Sequence, residues 1–421
     1  MARSRRATVR RASVFFGFSF LWTAAINVLP QAYLLRVAPE RKGLLLAGLL
    51  LIGTLSAWLG VELSRRRHAR GLQLTPTSLL AATLVHALAL LAVVAASAPL
   101  WAYCAAFVVF RGASNWLFNL GDGALVRAAG PDVQTHASAS TGFQVLGNMT
   151  GPVAFALLAE RTPLALALTV VVVAWTSATL ADALRAGEPP APPTRPREAD
   201  EAGPALSRTG RLFLLHCLLI WTGIIGVFAQ LIYLVSDWLS LAAPAQIGGA
   251  MITGIGLTAL ATIVASSRGR GERAPRRGLL VAALLSAAAV TVLATRPSPA
   301  GLVAVVILAG IGGGRFMLLS RSIASAWSGP VGRDGMLGRF NNLSNAASLV
   351  TFAILAALAA GLGEGHAAYN PTMLGLFIVT FVIGAFVIVL IPPAGLRAAT
   401  DGPTVAADNS KPCNNGLVDD A

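Results

Sequence analysis

Apolar residues in this chain come in long, nearly unbroken runs rather than in the narrow stripes of a helix or strand that faces water on one side. Twelve such runs occupy residues 13–35, 43–63, 77–97, 99–126, 138–159, 163–184, 211–236, 246–267, 278–295, 300–320, 340–362 and 372–391. Each is bounded by charge, proline or glycine. Backbone groups in hydrocarbon must be satisfied within their own segment, so runs of about 20 apolar residues predict membrane-spanning helices. The first run follows a basic start, as in a secretory signal. It exceeds a signal core and carries no clear small-residue cleavage site, so it reads as an uncleaved first span.

Two breaks interrupt the pattern. Residues 186–208 interleave Pro189, Pro190, Pro192, Pro193 and Pro196 with Arg195, Arg197, Glu198 and Asp200, a composition that no helix survives. This stretch reads as a solvated linker, and the polar stretch from 396 onward as a disordered tail. The expected division is a six-helix bundle over 1–185, a cytoplasmic linker over 186–208, a second six-helix bundle over 209–395 and a cytoplasmic tail over 396–421.

The two long segments are related. Leu21-Trp22-Thr23 with Val28 and Gln31 returns 199 positions later as Ile220-Trp221-Thr222 with Val227 and Gln230, and Gly130-Pro131 returns at the same offset as Gly329-Pro330. Phe143 to Asn148 reappears 197 positions on as Phe340 to Asn345. Collinear echoes between equal halves of a very apolar chain mark the internal repeats of secondary transporters, in which solute passes between two bundles that rock against each other.

Composition agrees with a bilayer as solvent: 55% hydrophobic residues, 12% charged and a mean hydropathy of +0.70 are more apolar than a soluble interior needs. The net charge of +14 does not point to nucleic acid, because the arginines sit in short connections between apolar runs. Those connections alternate. The amino terminus and the even-numbered connections hold most of them, whereas the others carry only Arg36, Arg41, Lys42, Arg161 and Arg296. Basic loops stay inside, which predicts a multi-pass protein of the cell (inner) membrane with both termini cytoplasmic. Cys104, Cys217 and Cys413 offer neither a disulfide pair nor metal-ligand spacing, and no cofactor or metal is expected.

Polar residues inside the runs carry the functional signal. In the fourth run Arg111, Asn115, Asn119 and Asp122 are spaced i, i+4, i+8, i+11, within about 80° of one helix face. At about 1.5 Å per residue from Pro99, Arg111 falls near the midplane, where an exposed guanidinium costs at least about 3 kcal/mol. A wet cavity is the expected surrounding; pinning by neighbouring carbonyls is the alternative. Asp122 lies at the cytoplasmic end, as a gate or a loop partner.

Thr23, Asn27 and Gln31 form a similar stripe in the first run, and the repeat puts Thr222, Gly226 and Gln230 in the same register of the seventh. Tyr33 and Tyr233 stand near the outer ends. Gly310, Gly312, Gly313 and Gly314 precede Arg315 in the tenth run, where the helix should bend or pack closely, and Arg315 faces the cavity or the inner gate. Gln144 and Asn148 in the fifth run are matched by Asn341 and Asn345 in the eleventh. Trp22 and Trp221 read as packing or as stacking surfaces, with packing favoured. His86 and His216 read as buried neutral side chains.

Six spans, a central loop and six more spans with related halves resemble the major facilitator superfamily over nearly the whole chain. Gly147-Asn148-Met149-Thr150-Gly151-Pro152 matches the G-x-x-x-G-P core that this family carries in its fifth span, particularly in antiporters. Between spans two and three the family signature is degraded: Gly60-Val61-Glu62-Leu63-Ser64-Arg65-Arg66-Arg67-His68-Ala69-Arg70-Gly71 has Glu62 ahead of the usual aspartate. The resemblance implies an all-α integral membrane fold of two six-helix bundles related by a pseudo-twofold, with spans one, four, seven and ten lining a central cavity. It therefore assigns Arg111, Asn115, Asn119, Thr23, Asn27, Gln31, Thr222, Gln230, Tyr233 and Arg315 to solute binding. Asp122, Glu62, Arg65, Gly147, Gly151 and Pro152 fall to gating or coupling. The implied partners are a small-molecule substrate, H+ or another coupling ion, and the lipid bilayer, for a protein acting as a monomer.

None of the eighteen acidic residues lies at mid-depth, which argues against a deep proton-binding carboxylate. Two intramembrane arginines without a deep counter-ion favour an anionic or amphipathic organic solute carried by alternating access. Multidrug/H+ efflux stays open through the fifth-span motif and the fourth-span arginine. A sugar-cation symporter stays open through Asp122 and Arg127, although His136 and Asn27 depart from that pattern. A transport-inactive sensor or assembly factor is a further alternative. A membrane enzyme is not expected, since neither clustered acids nor a histidine-acid pair is present.

Overall fold

Helices occupy all twelve predicted spans in the computed structural model, which describes residues 7, 9–69, 76–95, 97–129, 133–158, 161–186, 207–268, 274–328, 336–364, 367–393 and 396. The first span is two helices, Val14–Asn27 and Leu29–Val37. Pro30, which has no N–H to donate and whose ring crowds the preceding turn, accounts for the interruption at Val28. The next five are Lys42–Ala69, Pro76–Ala95, Leu100–Ala129, Val133–Leu157 and Thr162–Ala186. In the second half Arg208–Tyr233 passes into one π-helical turn, Leu234–Trp238, followed by Pro244–Arg268, Pro275–Ala294, Pro299–Ser328, Met336–Leu362 and Tyr369–Val389. The linker at 187–206 and the tail beyond Leu396 lie outside the described residues.

Among the described residues, nine of these helices are long and apolar enough to cross a bilayer. The exceptions are informative. The third span has a shorter apolar stretch, Leu79–Ala95. The fourth and fifth carry Arg111, Asn115 and Asn119, and Gln144 and Asn148, the polar side chains singled out from the sequence. Large apolar side chains cover the outside, including Leu88 (66% exposed), Trp101 (75%) and Phe386 (63%). In water such a surface would aggregate; in hydrocarbon it is at its solvent.

Helix pairing repeats between the halves. The first span packs on the fifth and sixth, the second on the fourth, and the third on the fourth and sixth. Likewise the seventh packs on the eleventh and twelfth, the eighth on the tenth, and the ninth on the tenth and twelfth. Across the halves the second span meets the eleventh and the fifth meets the eighth, which are the same pair under the 199-residue shift. The fold is two six-helix bundles with equivalent internal packing, as the repeat predicts.

The odd-numbered connections gather at one end, here the distal end. Tyr33 Oη donates to Ala98 O (2.8 Å), Lys42 Nζ bonds Asp237 (2.9 Å), and Trp238 Nε1 donates to Leu293 O (3.2 Å). At the proximal end Arg10 pairs with Asp182 (2.9 Å) and Arg276 donates to Val389 O. The tenth helix runs unbroken from Pro299 to Ser328 through the glycines before Arg315. A Cβ on Gly312 would lie 2.9 Å from Ala282 O, and one on Gly314 2.6 Å from Ala259 O, so the run serves close approach to the ninth and eighth helices.

Candidate solute site and gates

Arg111 is 3% exposed on the fourth span. The second span can lie against it because Gly53 and Gly60 carry no side chain: a Cβ on Gly53 would sit 3.2 Å from Arg111 Cγ, and one on Gly60 2.4 Å from Gly112 O. The guanidinium carbon stands 5.0 Å from the centroid of the Trp22 ring on the first span. Trp22 therefore supports the charge, beyond the packing role that its sequence context favoured. Among the described residues, Arg111 Nε and Nη1 and Trp22 Nε1 are buried with no acceptor. Nε and Nη1 thus lack the carbonyl pinning considered from sequence. Buried N–H groups without acceptors are expensive, which makes these nitrogens donors for a ligand.

The polar neighbours divide into several kinds. Asn115 Nδ2 donates to Arg111 O (3.1 Å) and Asn119 Nδ2 to Asn115 O (2.7 Å), turning both carboxamides along their own helix. Thr23 Oγ1 donates to Asn148 Oδ1, tying the first span to the fifth. In the equivalent pair of the other half, Thr351 Oγ1 donates to Thr222 O (3.0 Å), and Thr222 Oγ1 is buried with no partner among the described residues. Gln230 is 2% exposed, and its Nε2 likewise meets no acceptor among the described residues. Arg315 is half-buried on the tenth span. The side chains of Asp122 and Arg65 lie outside the described residues.

Gln31 and Tyr233 are committed to a contact between the halves. Gln31 is fully buried; its Nε2 donates to Asn27 O and to Phe228 O (3.5 Å), while its Oε1 accepts from Ile232 N (3.1 Å). Tyr233 Oη donates to Gln31 O (3.4 Å). They form a clamp toward the distal end. Glu62 accepts from Arg66 Nε (2.8 Å) four residues along the same helix. Gly147 and Gly151 press on the first span, where a Cβ would come within 2.4 Å of Phe16 O and 2.0 Å of Phe20 O respectively. Pro152 continues this helix without breaking it.

Sequence reasoning missed the rest of the distal contact. Lys42 Nζ lies 2.8 Å from Asp237 Oδ2, and the Glu364 carboxylate accepts from Gly43 N (2.6 Å) and Leu44 N. One signal was available: Lys42 is one of only two lysines in the chain. At the proximal end Arg321 Nη1 donates to Gln144 Oε1 (3.2 Å) between the tenth and fifth spans.

No protein-family model and no curated protein sequence matches this chain. Solved structures do. The nucleoside transporter NupG aligns with a TM-score of 0.62 at 14% identity, over 91% of this chain and 98% of that one. The human organic anion transporter MFSD10 (TETRAN) gives 0.63 at 15% identity over 91% and 99%. A D-xylose-proton symporter gives 0.63 at 12% identity over 94% and 99%. This chain has the major facilitator fold. Within that fold the first, fourth, seventh and tenth spans are those carrying Trp22 and Thr23, Arg111, Thr222 and Gln230, and Arg315. At these identities the alignments speak to architecture; the chemistry of the site rests on its own side chains.

Proposed function

We propose that this protein is a secondary active transporter that moves a small organic solute, anionic or amphipathic, across the cytoplasmic membrane by alternating access. The observation that carries the reading is Arg111, whose Nε and Nη1 are buried without an acceptor among the described residues while its guanidinium carbon stands 5.0 Å from the Trp22 ring centroid. An anionic group on the solute would supply the missing acceptors, and a ring or alkyl portion would find apolar surface beside it. Twin bundles joined at both ends by a few polar contacts support alternating access. The distribution of arginine supports cytoplasmic termini, with the distal end outside. Three structural neighbours bearing the names of nucleoside, organic anion and D-xylose-proton carriers support transport as the general activity. The organic anion transporter is the one whose cargo agrees with Arg111.

A multidrug/H+ efflux antiporter is the second reading, supported by the tight Gly147 and Gly151 approach to the first span. The test is uptake or counterflow of labelled organic anions by the purified chain in liposomes. A charge-assisted hydrogen bond is worth about 1.5–3 kcal/mol, so Arg111→Gln should reduce transport about 10- to 150-fold. Anion transport that survives this change would remove the proposal; Arg111-dependent transport of cations alone would move it to the second reading.

A further inference from the structure

At the distal end, away from Arg111, a cavity of about 190 Å³ opens between the seventh-to-eighth and ninth-to-tenth connections. Trp238, Leu241, Arg296, Pro297 and Leu302 line it. Trp238 ends the π-helical turn and is held by its Nε1 bond to Leu293 O, so the ring is fixed. The Arg296 guanidinium carbon stands over that ring, 3.9 Å from its centroid, the distance of a stacked pair. A stacked guanidinium keeps its N–H donors at its edge, free to bond in the ring's plane. Among the described residues they meet no acceptor. No carboxylate lines the cavity, and the nearby acid, Asp237, is taken by Lys42.

The backbone adds an independent sign. Among the described residues, the only non-glycine positions with positive φ are Ser240, Ala243 and Arg296, all in these two connections. Arg296 follows the end of the ninth helix at φ 53°, a position where glycine is the ordinary choice because it has no Cβ to crowd the backbone. The chain places its largest cation there instead, in a set of connections otherwise poor in basic residues. Strain retained beside a cavity is a feature of binding sites.

We infer that this cavity binds a phosphate ester, with Arg296 bonding the phosphate oxygens and Leu241, Leu302 and Pro297 covering the adjoining apolar part. A tryptophan-arginine pair at the end of apolar helices sits at the depth of lipid headgroups, so a phospholipid is the natural source; a soluble phosphate has the same chemistry. The site is independent of the transport reading, since it uses none of the residues assigned to solute.

The full-length protein in detergent, stripped of lipid, would be titrated separately with phosphatidylglycerol, phosphatidylcholine and inorganic phosphate, following the thermal midpoint and the mass of the intact complex. Arg296→Gly relieves the backbone at the cost of the Trp238 contact, and its own thermal midpoint, measured without ligand, separates loss of binding from misfolding. Arg296→Lys keeps the charge without the planar stack and should bind about tenfold more weakly. A lipid-induced shift that disappears in Arg296→Gly, with none from inorganic phosphate, identifies a headgroup site. An Arg296-dependent shift with inorganic phosphate as well identifies the soluble source. Binding that Arg296→Gly leaves intact, or no binding of any of the three, overturns the inference.

Discussion

Arg111 and Trp22 show how little polar material the proposed site contains. A guanidinium on an indole face gains about 0.5–2 kcal/mol, the upper figure when water is excluded, as at 3% exposure. That stack orients the donors but satisfies none of them, which leaves their hydrogen bonds for a ligand. Trp22→Leu should therefore weaken binding of an anionic solute about 2- to 30-fold, while Trp22→Phe retains much of the affinity. Isothermal titration would read this directly, and an unchanged Kd in Trp22→Leu would mean that the ring only fills space. The period of four linking Arg111, Asn115 and Asn119 was legible because it is written within one helix. The role of Trp22 was not, since a lone aromatic among apolar residues looks the same whether it faces lipid, a neighbouring helix or a cation. Only the register between the first and fourth spans distinguishes these, and neither sequence segment records it.

Helix packing depends on the places where backbones come closest. The fifth span lies so near the first that Gly151 leaves no room for a methyl group against Phe20 O, whereas a Cβ on Gly142, nine residues earlier in the same helix, would meet nothing within 4 Å. Gly151→Ala should cost about 1–3 kcal/mol through overpacking, and Gly142→Ala should be neutral or gain up to about 1 kcal/mol from helix propensity. Thermal unfolding of the two variants in one detergent checks the contrast; equal midpoints would show that the close approach is not maintained. The spans themselves were readable to within a few residues, because length and apolarity are local properties. The glycine run before Arg315 was readable only as bend or contact, and the approach of Gly312 to Ala282 O and of Gly314 to Ala259 O shows the contact. The fourth and fifth spans were recognisable by the polar residues that interrupt them, Arg111, Asn115 and Asn119 in one and Gln144 and Asn148 in the other.

For the whole molecule, what matters is how the halves are held at each end. Distally, Gln31 reaches Ile232 N, Lys42 pairs with Asp237, and Glu364 accepts from the first residues of the second span. These partners are 195 to 321 residues apart, so no local pattern could announce them. Proximally, Arg321 donates to Gln144 across the bundles. Pairs at the rim are screened by water, and each is worth about 0–1 kcal/mol, yet a two-state carrier needs little: about 1 kcal/mol changes its population ratio about fivefold. Lys42→Ala and Glu364→Ala should each raise the share of molecules open at the distal end, by up to about fivefold, and Gln144→Ala should lower it. Spin labels at the exposed positions Arg41 and Ser240, with the native cysteines replaced, would report the separation of the two halves as a distance distribution. A shift to longer distances in the first two variants and to shorter ones in the third is the expected pattern. Movement in the same direction for all three would mean that these bonds stabilise the bundles individually instead of setting which end is closed.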